Sequence, residues 1–316
     1  MAEMRTVIAD FLNEKMATDN KIIMMDADLA KANGTYPLIQ NYPDRALDVG
    51  IAEANMISMA AGLSSYGFKP FVFSFCPFVT RRVADQVAIS VAYSGMNVKI
   101  VGTDPGITAQ LNGATHLSVE DIGVMRSIPD LVIFEPVDCN QYIKALPVIL
   151  EYEGPIYIRQ LRKVSPKEIF TNDDYKFDLF KADILKLGDD VTLIASGIEV
   201  EQALIAAEEM EMQGVSAEVI NAHTIKPLDV ETIVNSVKKT RCAVVCENHN
   251  IMGGLGSGVA EVLAQHYPAP LEFIGIQDRF GEVGDLSYLI KAFQMDSSTI
   301  VESALKVLRR KDTIKE

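Results

Sequence analysis

Short, continuous apolar runs alternate with stretches of helical periodicity along nearly the whole chain, and this beat constrains the fold more than any other feature. Ile22-Ile23-Met24-Met25, Phe71-Val72-Phe73, Leu131-Val132-Ile133-Phe134 and Ile156-Tyr157-Ile158 lack the polar alternation of a strand with one wet face. Strands of that kind are covered on both faces, and intervening helices make the parallel connections. The spacing predicts strands over 21–28, 70–75, 97–102, 131–134 and 155–159. Helices are predicted over 5–20, 51–64, 78–94, from about 119, and over 138–151. Charged and polar sequence from about 160 to 184 (Arg162-Lys163, Thr171-Asn172-Asp173-Asp174) interrupts the beat. It resumes with strands over 190–195, 215–220, 241–246 and near 271–276, and helices over 198–213, 229–239, 256–266 and 298–309. The reading is an α/β chain of two domains, each a mostly parallel sheet flanked by helices. Residues 1–165 form the first domain, 166–184 a linker, and 185–316 a smaller second domain; 316 residues suffice for two cores.

Composition narrows the function. Forty-three acids against 29 bases leave a net charge of −14, which argues against a nucleic-acid or membrane-surface binder. No apolar run approaches the roughly 20 residues of a membrane span. The start, Met1-Ala2-Glu3-Met4-Arg5, lacks the basic region and apolar core of a signal peptide, so cytoplasmic residence is expected. Cys76, Cys139, Cys242 and Cys246 show no tightly paired metal or redox spacing and read as core thiols.

Parallel sheets bind ligands at the carboxyl ends of their strands, so chemistry is expected in the loops after Asp28, Phe75 and Val101. Gly253-Gly254-Leu255-Gly256-Ser257-Gly258 follows a strand and precedes a helix, but its glycines miss the dinucleotide spacing and no phosphate-loop Lys follows. A structural turn is the expectation there. His223 reads as structural. His116 ends the long polar loop after a parallel strand, where it is either a ligand contact or a structural residue. Glu53, following Asp48-Val49-Gly50-Ile51-Ala52, falls in the first turn of a helix. The helix dipole alone would account for an acid there. A role in proton exchange would require burial against an apolar partner.

Gly50-Ile-Ala-Glu-Ala-Asn-Met56, Phe75-Cys-Pro-Phe78, Gly113-Ala-Thr-His116 and Asp278-Arg-Phe-Gly281, in that order, resemble the motifs of transketolases. The resemblance is nearest to the C-terminal subunit of split transketolases, and it runs through essentially the whole chain. It implies a pyrimidine-binding domain followed by a transketolase C-terminal domain, with thiamine diphosphate as cofactor. It implies that Glu53 contacts N1′ of the aminopyrimidine and promotes its imino tautomer, and that Phe75 and Phe78 pack on that ring. Asp28 matches an acid close to the cofactor, and His116 a histidine that contacts the donor sugar. Arg5 matches an arginine that contacts the substrate phosphate. The family's Gly-Asp-Gly motif for diphosphate and metal is absent; only Gly188-Asp189-Asp190 and Gly284-Asp285-Leu286 come near. The resemblance therefore implies an N-terminal partner subunit that holds the diphosphate and Mg²⁺ (or Ca²⁺), in an α2β2 assembly inactive without the partner.

Departures from the family pattern fall among the sugar contacts. Asp104 and Asn112 stand where transketolases usually place His and Asp, and Leu117 where Gln is common. Glu135, before Pro136-Val137-Asp138, stands where single-chain transketolases place a phosphate-binding Arg and is expected to repel a phosphate unless the partner chain compensates. The expected reaction is transfer of a two-carbon ketol unit from a ketose, phosphorylated, sulfonated or branched, to an aldose. The rival readings are the β subunit of a 2-oxoacid dehydrogenase, a deoxyxylulose-phosphate synthase relative, and a non-catalytic scaffold subunit.

Overall fold

The computed structural model describes residues 2–172 and 174–313; Met1 at the chain's start and Asp173 in the expected linker lie outside the described residues. The strands are β1 (Ile22–Asp26), β2 (Ala46–Asp48), β3 (Lys69–Phe75), β4 (Lys99–Thr103), β5 (Val132–Phe134) and β6 (Ile156–Gln160). They continue with β7 (Asp183–Lys186), β8 (Val191–Ala195), β9 (Ala217–Asn221), β10 (Thr224–Lys226), β11 (Ala243–Asn250) and β12 (Leu271–Ile276). One sheet runs β10-β5-β6-β4-β3-β1-β2 and the other β12-β11-β8-β9-β7. All pairings are parallel except β10 on β5 and β7 on β9, at an edge of each sheet.

Alternate side chains of each central strand enter different cores, as the pleat requires. Ile22, Met24, Phe71 and Phe73 pack beneath the helices Met4–Thr18 and Cys139–Glu151. Ile23, Met25 and Val72 face the helix Glu53–Ser65 in a cluster that continues into the second domain through Ile194, Ile220 and Val245. The domains are also stitched by β10, which lies after the linker in sequence yet completes the first sheet. Asn248 at the end of β11 donates from Nδ2 to the carbonyl of Pro105 (2.9 Å) and accepts from the backbone N–H of Ile107 (2.9 Å). The four cysteines are free and buried.

Two expectations need correcting. The strand expected to end at Asp28 ends at Asp26, and Asp28 sits beyond it at φ 62° on an exposed turn. The single helix expected over 78–94 is broken into a short helix Cys76–Val79, a 3₁₀ turn Arg81–Val83 and a π-helix Gln86–Tyr93. The break falls at Thr80 (φ −121°, ψ −92°), whose hydroxyl donates back to the carbonyl of Cys76 at 2.6 Å. Such interruptions re-aim side chains and recur at functional sites.

Candidate active site

The carboxyl ends of β1, β2, β3, β4 and β6 emerge along one edge, because parallel pairing sets Phe75 beside Thr103 and Thr103 beside Gln160. Asp48 ends β2, and its Oδ1 accepts the backbone N–H of both Asp28 and Gly50 at 3.0 Å, tying the loops after β1 and β2 together. Gly50 supplies the positive φ of 73° that this turn demands. The chain then enters the helix at Glu53, with no side-chain cap on Ala52. Glu53 is 4% exposed, and Arg82 Nη1 donates to its Oε1 at 2.7 Å. Burial is present, but the neighbour is a guanidinium rather than an apolar wall.

Phe75 ends β3, and Phe78 follows in the short helix Cys76–Val79, with Pro77 in its first turn. Their ring centroids lie 6.1 Å apart. His116 meets both rings edge-on, 5.7 Å from Phe75 and 5.4 Å from Phe78, in the range where such pairs attract. The Arg82 guanidinium carbon lies 4.0 Å from the Phe78 centroid, and that of Arg162 lies 4.7 Å from Phe75. Arg162 is held by Asp104, donating from Nε to Oδ2 at 2.6 Å and from its backbone N–H to Oδ1 at 3.1 Å. An unbroken contact path thus runs from Glu53 through Arg82, Phe78, His116, Phe75 and Arg162 to Asp104.

The remaining candidates lie around this path. Arg5 donates its backbone N–H to the carbonyl of Arg162 at 3.3 Å, while its side chain pairs with Glu3 (2.7 Å) and the Ala32 carbonyl (3.0 Å). Asp28 lines a cleft of about 400 Å³ with Lys31, Tyr36 and Asp48. Asn112 is exposed at the end of the turn Gly106–Asn112, and both it and Asp28 stand outside the contact path. Asp278–Gly281 packs on the loop of His116: a Cβ on Gly281 would come 2.5 Å from Leu117 Cδ2. A cleft of about 360 Å³ opens there among Arg81, Glu120, Asn250, Asp278, Arg279 and Phe280.

Arg82, Arg162 and Asp26 were not singled out in the sequence. The doubled Arg81-Arg82 in an otherwise apolar stretch is a signal; Arg162-Lys163 falls in the charged stretch that interrupts the strand–helix beat. Asp26 is buried at the end of β1, and its burial pushes the carboxyl up to about 6 against bonds from Asn33, Leu29 N–H and Thr35. Glu135 does not act as expected from the sequence. It is 2% exposed, and its oxygens accept from Arg159 Nη1 (2.6 Å) and Ser196 Oγ (2.8 Å), so its charge is satisfied inside the protein. The Gly-rich turn is structural, as its spacing suggests: Glu247 accepts the backbone N–H groups of Leu255 (2.6 Å) and Gly256 (2.8 Å). A phosphate would have to displace that carboxylate from the helix start.

These residues suit a flat, nitrogen-bearing ring. Phe78 offers a stacking face and Glu53 an acceptor beside it, and Arg82 demonstrates that a planar N–H donor satisfies both. Among the described residues there is no cluster of three or more His, Cys, Asp or Glu that could hold a metal. No helix among them is long and apolar enough to cross a membrane.

Fold and site therefore define an edge of a parallel sheet where two phenylalanines, a histidine and two arginines pack on one another with a buried acid beside them. The model of the transketolase pyrimidine-binding domain matches residues 1–167, and that of the transketolase C-terminal domain residues 180–300. A 6-deoxy-6-sulfo-D-fructose transketolase subunit from Clostridium sp. (strain MSTE9) is 48% identical over 98% of this chain and 95% of its own length. An apulose-4-phosphate transketolase subunit from Actinobacillus succinogenes is 35% identical, covering 90% of this chain and 92% of that protein. Among solved structures, a split-gene transketolase described as an inactive β4 tetramer superposes with a TM-score of 0.88 at 35% identity, covering 98% of this chain and 99% of that one. The chain belongs to the transketolase family, whose members depend on thiamine diphosphate, and it matches the separate C-terminal subunit of split transketolases.

Proposed function

We propose that this chain is the ring-holding half of a two-chain transketolase that moves a two-carbon ketol unit from a ketose to an aldose. The observation that carries the reading is the contact path from buried Glu53 to His116 along the carboxyl edge of the sheet. Phe75 and Phe78 offer faces on which an aminopyrimidine stacks. Glu53 exchanges a proton with the ring nitrogen it faces. Bound thiamine diphosphate supplies the carbon nucleophile and the electron sink for the transferred unit. His116 contacts the donor's hydroxyls: Thr115 Oγ1 engages its Nδ1 at 2.8 Å, so Nε2 is the nitrogen presented to sugar. A separate N-terminal subunit holds the diphosphate and Mg²⁺ (or Ca²⁺), in an α2β2 assembly.

For the donor, we propose a sulfonated ketose of the 6-deoxy-6-sulfofructose type. The relative named for that substrate is 48% identical, against 35% for the one named for apulose 4-phosphate. The charges around the site favour the same choice. Arg5, Arg81, Arg82 and Arg162 are each paired with a carboxylate, of Glu3, Glu120, Glu53 and Asp104 in turn. Paired cations recruit a singly charged sulfonate at smaller cost than a phosphate monoester carrying about −1.5 to −2. The test is kcat/KM of the reconstituted pair on 6-deoxy-6-sulfofructose, apulose 4-phosphate and xylulose 5-phosphate. A preference of at least about tenfold for the sulfonated ketose is expected. Equal or better use of xylulose 5-phosphate contradicts the donor assignment.

A further inference from the structure

Arg82 stands on the spot that the proposed function gives to the cofactor's ring. Its guanidinium lies 4.0 Å from the centroid of Phe78 and donates to Glu53 at 2.7 Å. A guanidinium is planar, carries several N–H donors and stacks on aromatic faces, so it covers the same ring face and the same carboxylate that an aminopyrimidine would use. The neighbouring Arg81 turns to Glu120 (2.6 Å). The two adjacent arginines of the 3₁₀ turn Arg81–Val83 thus serve separate acids.

We infer that Arg82 is a built-in stand-in for the ring, occupying the Phe78 face and the Glu53 carboxylate until the cofactor displaces it. This rests on the ring-holding reading proposed above. The face of Phe78 that the guanidinium covers holds one flat group at a time, so Arg82 must leave it before an aminopyrimidine seats there. The exit is open: the Arg82 side chain is 44% exposed while that of Glu53 is 4% exposed. The arginine can swing into water without moving the helix that carries the acid. Until it does, the charge of Glu53 is compensated inside the chain and the stacking face is covered.

The consequence is a competition that lowers cofactor affinity by the fraction of molecules in the open arrangement. One partly exposed ion pair and one partly exposed cation–π contact set the size of the effect at about three- to thirtyfold. The experiment is equilibrium binding of thiamine diphosphate with Mg²⁺ to the complex of this chain with its N-terminal subunit, as wild type, Arg82→Ala and Arg82→Lys. Arg82→Ala is expected to lower Kd about three- to thirtyfold. Arg82→Lys, which keeps the charge but not the flat fork, is expected to fall between the two. A merely supporting arginine would not yield tighter binding when removed. Unchanged or weaker binding by Arg82→Ala overturns the inference, and it leaves the ring-holding reading standing if the wild-type complex binds the cofactor. Failure of the wild-type complex to bind removes both.

Discussion

Glu135 and Glu53 are both buried acids of the first domain, and their neighbours give them opposite work. Glu135 bonds to Arg159, which is fully buried and also holds Asp121 (Nε to Oδ2, 2.7 Å) and the Asn248 carbonyl (2.6 Å). Burial pushes the Asp121 carboxyl up, and the adjacent guanidinium more than reverses this, leaving it below its ordinary range. Removing Glu135 leaves Asp121 to neutralise Arg159 but strips Arg159 Nη1 and Ser196 Oγ of their buried acceptor, at a cost of about 1–3 kcal/mol. Glu135→Ala is therefore expected to lower the unfolding free energy by about that amount in a urea titration. A changed donor preference at unchanged stability would return Glu135 to the substrate side. Glu53 by contrast meets an arginine that is half in water and free to leave. That difference is invisible in sequence, where both are acids beside small or apolar residues.

At the scale of elements, β10 joins the halves of the chain, and His223 immediately precedes it. Its Nε2 faces the Lys181 carbonyl (2.8 Å) and its Nδ1 the Thr224 hydroxyl (3.0 Å). Burial lowers its pKa from 6.5 to about 4, so the folded chain takes up this proton later than the unfolded chain as pH falls. The stability it contributes is complete above about 6.5 and is lost as pH falls toward 4, by roughly 3 kcal/mol. Asp26 and Asp183 act in the reverse sense, since burial raises each carboxyl to about 6. The informative quantity is thus the difference between wild type and His223→Gln. Between pH 7 and 4.5 the wild type is expected to lose stability more steeply in urea; parallel profiles contradict this. The long strands were legible in the sequence because burial on both faces leaves continuous apolar runs. The short strands β2, β7 and β10 were not, because pairing rather than composition makes them. Within the site, Phe75, Phe78 and His116 were legible as motif residues. Arg82 and Arg162 were not, because a long cation's partner is chosen by tertiary contact.

At the scale of the whole molecule, the two sheets share a continuous core and a polar seam, so the edge carrying Glu53 and His116 is presented by one braced body. That edge carries two phenylalanine rings, a buried acid and the histidine packed against the rings. The proposed partner completes it with the diphosphate and metal end, so the chain alone is expected to show no ketol transfer. The most direct test of the central claim is the ketol-transfer rate of the reconstituted pair carrying Glu53→Gln. The amide preserves shape and a hydrogen bond but cannot exchange the proton, so a loss of at least about a hundredfold is expected with the complex still assembled. Turnover within a few-fold of wild type would contradict the account and leave this chain a scaffold.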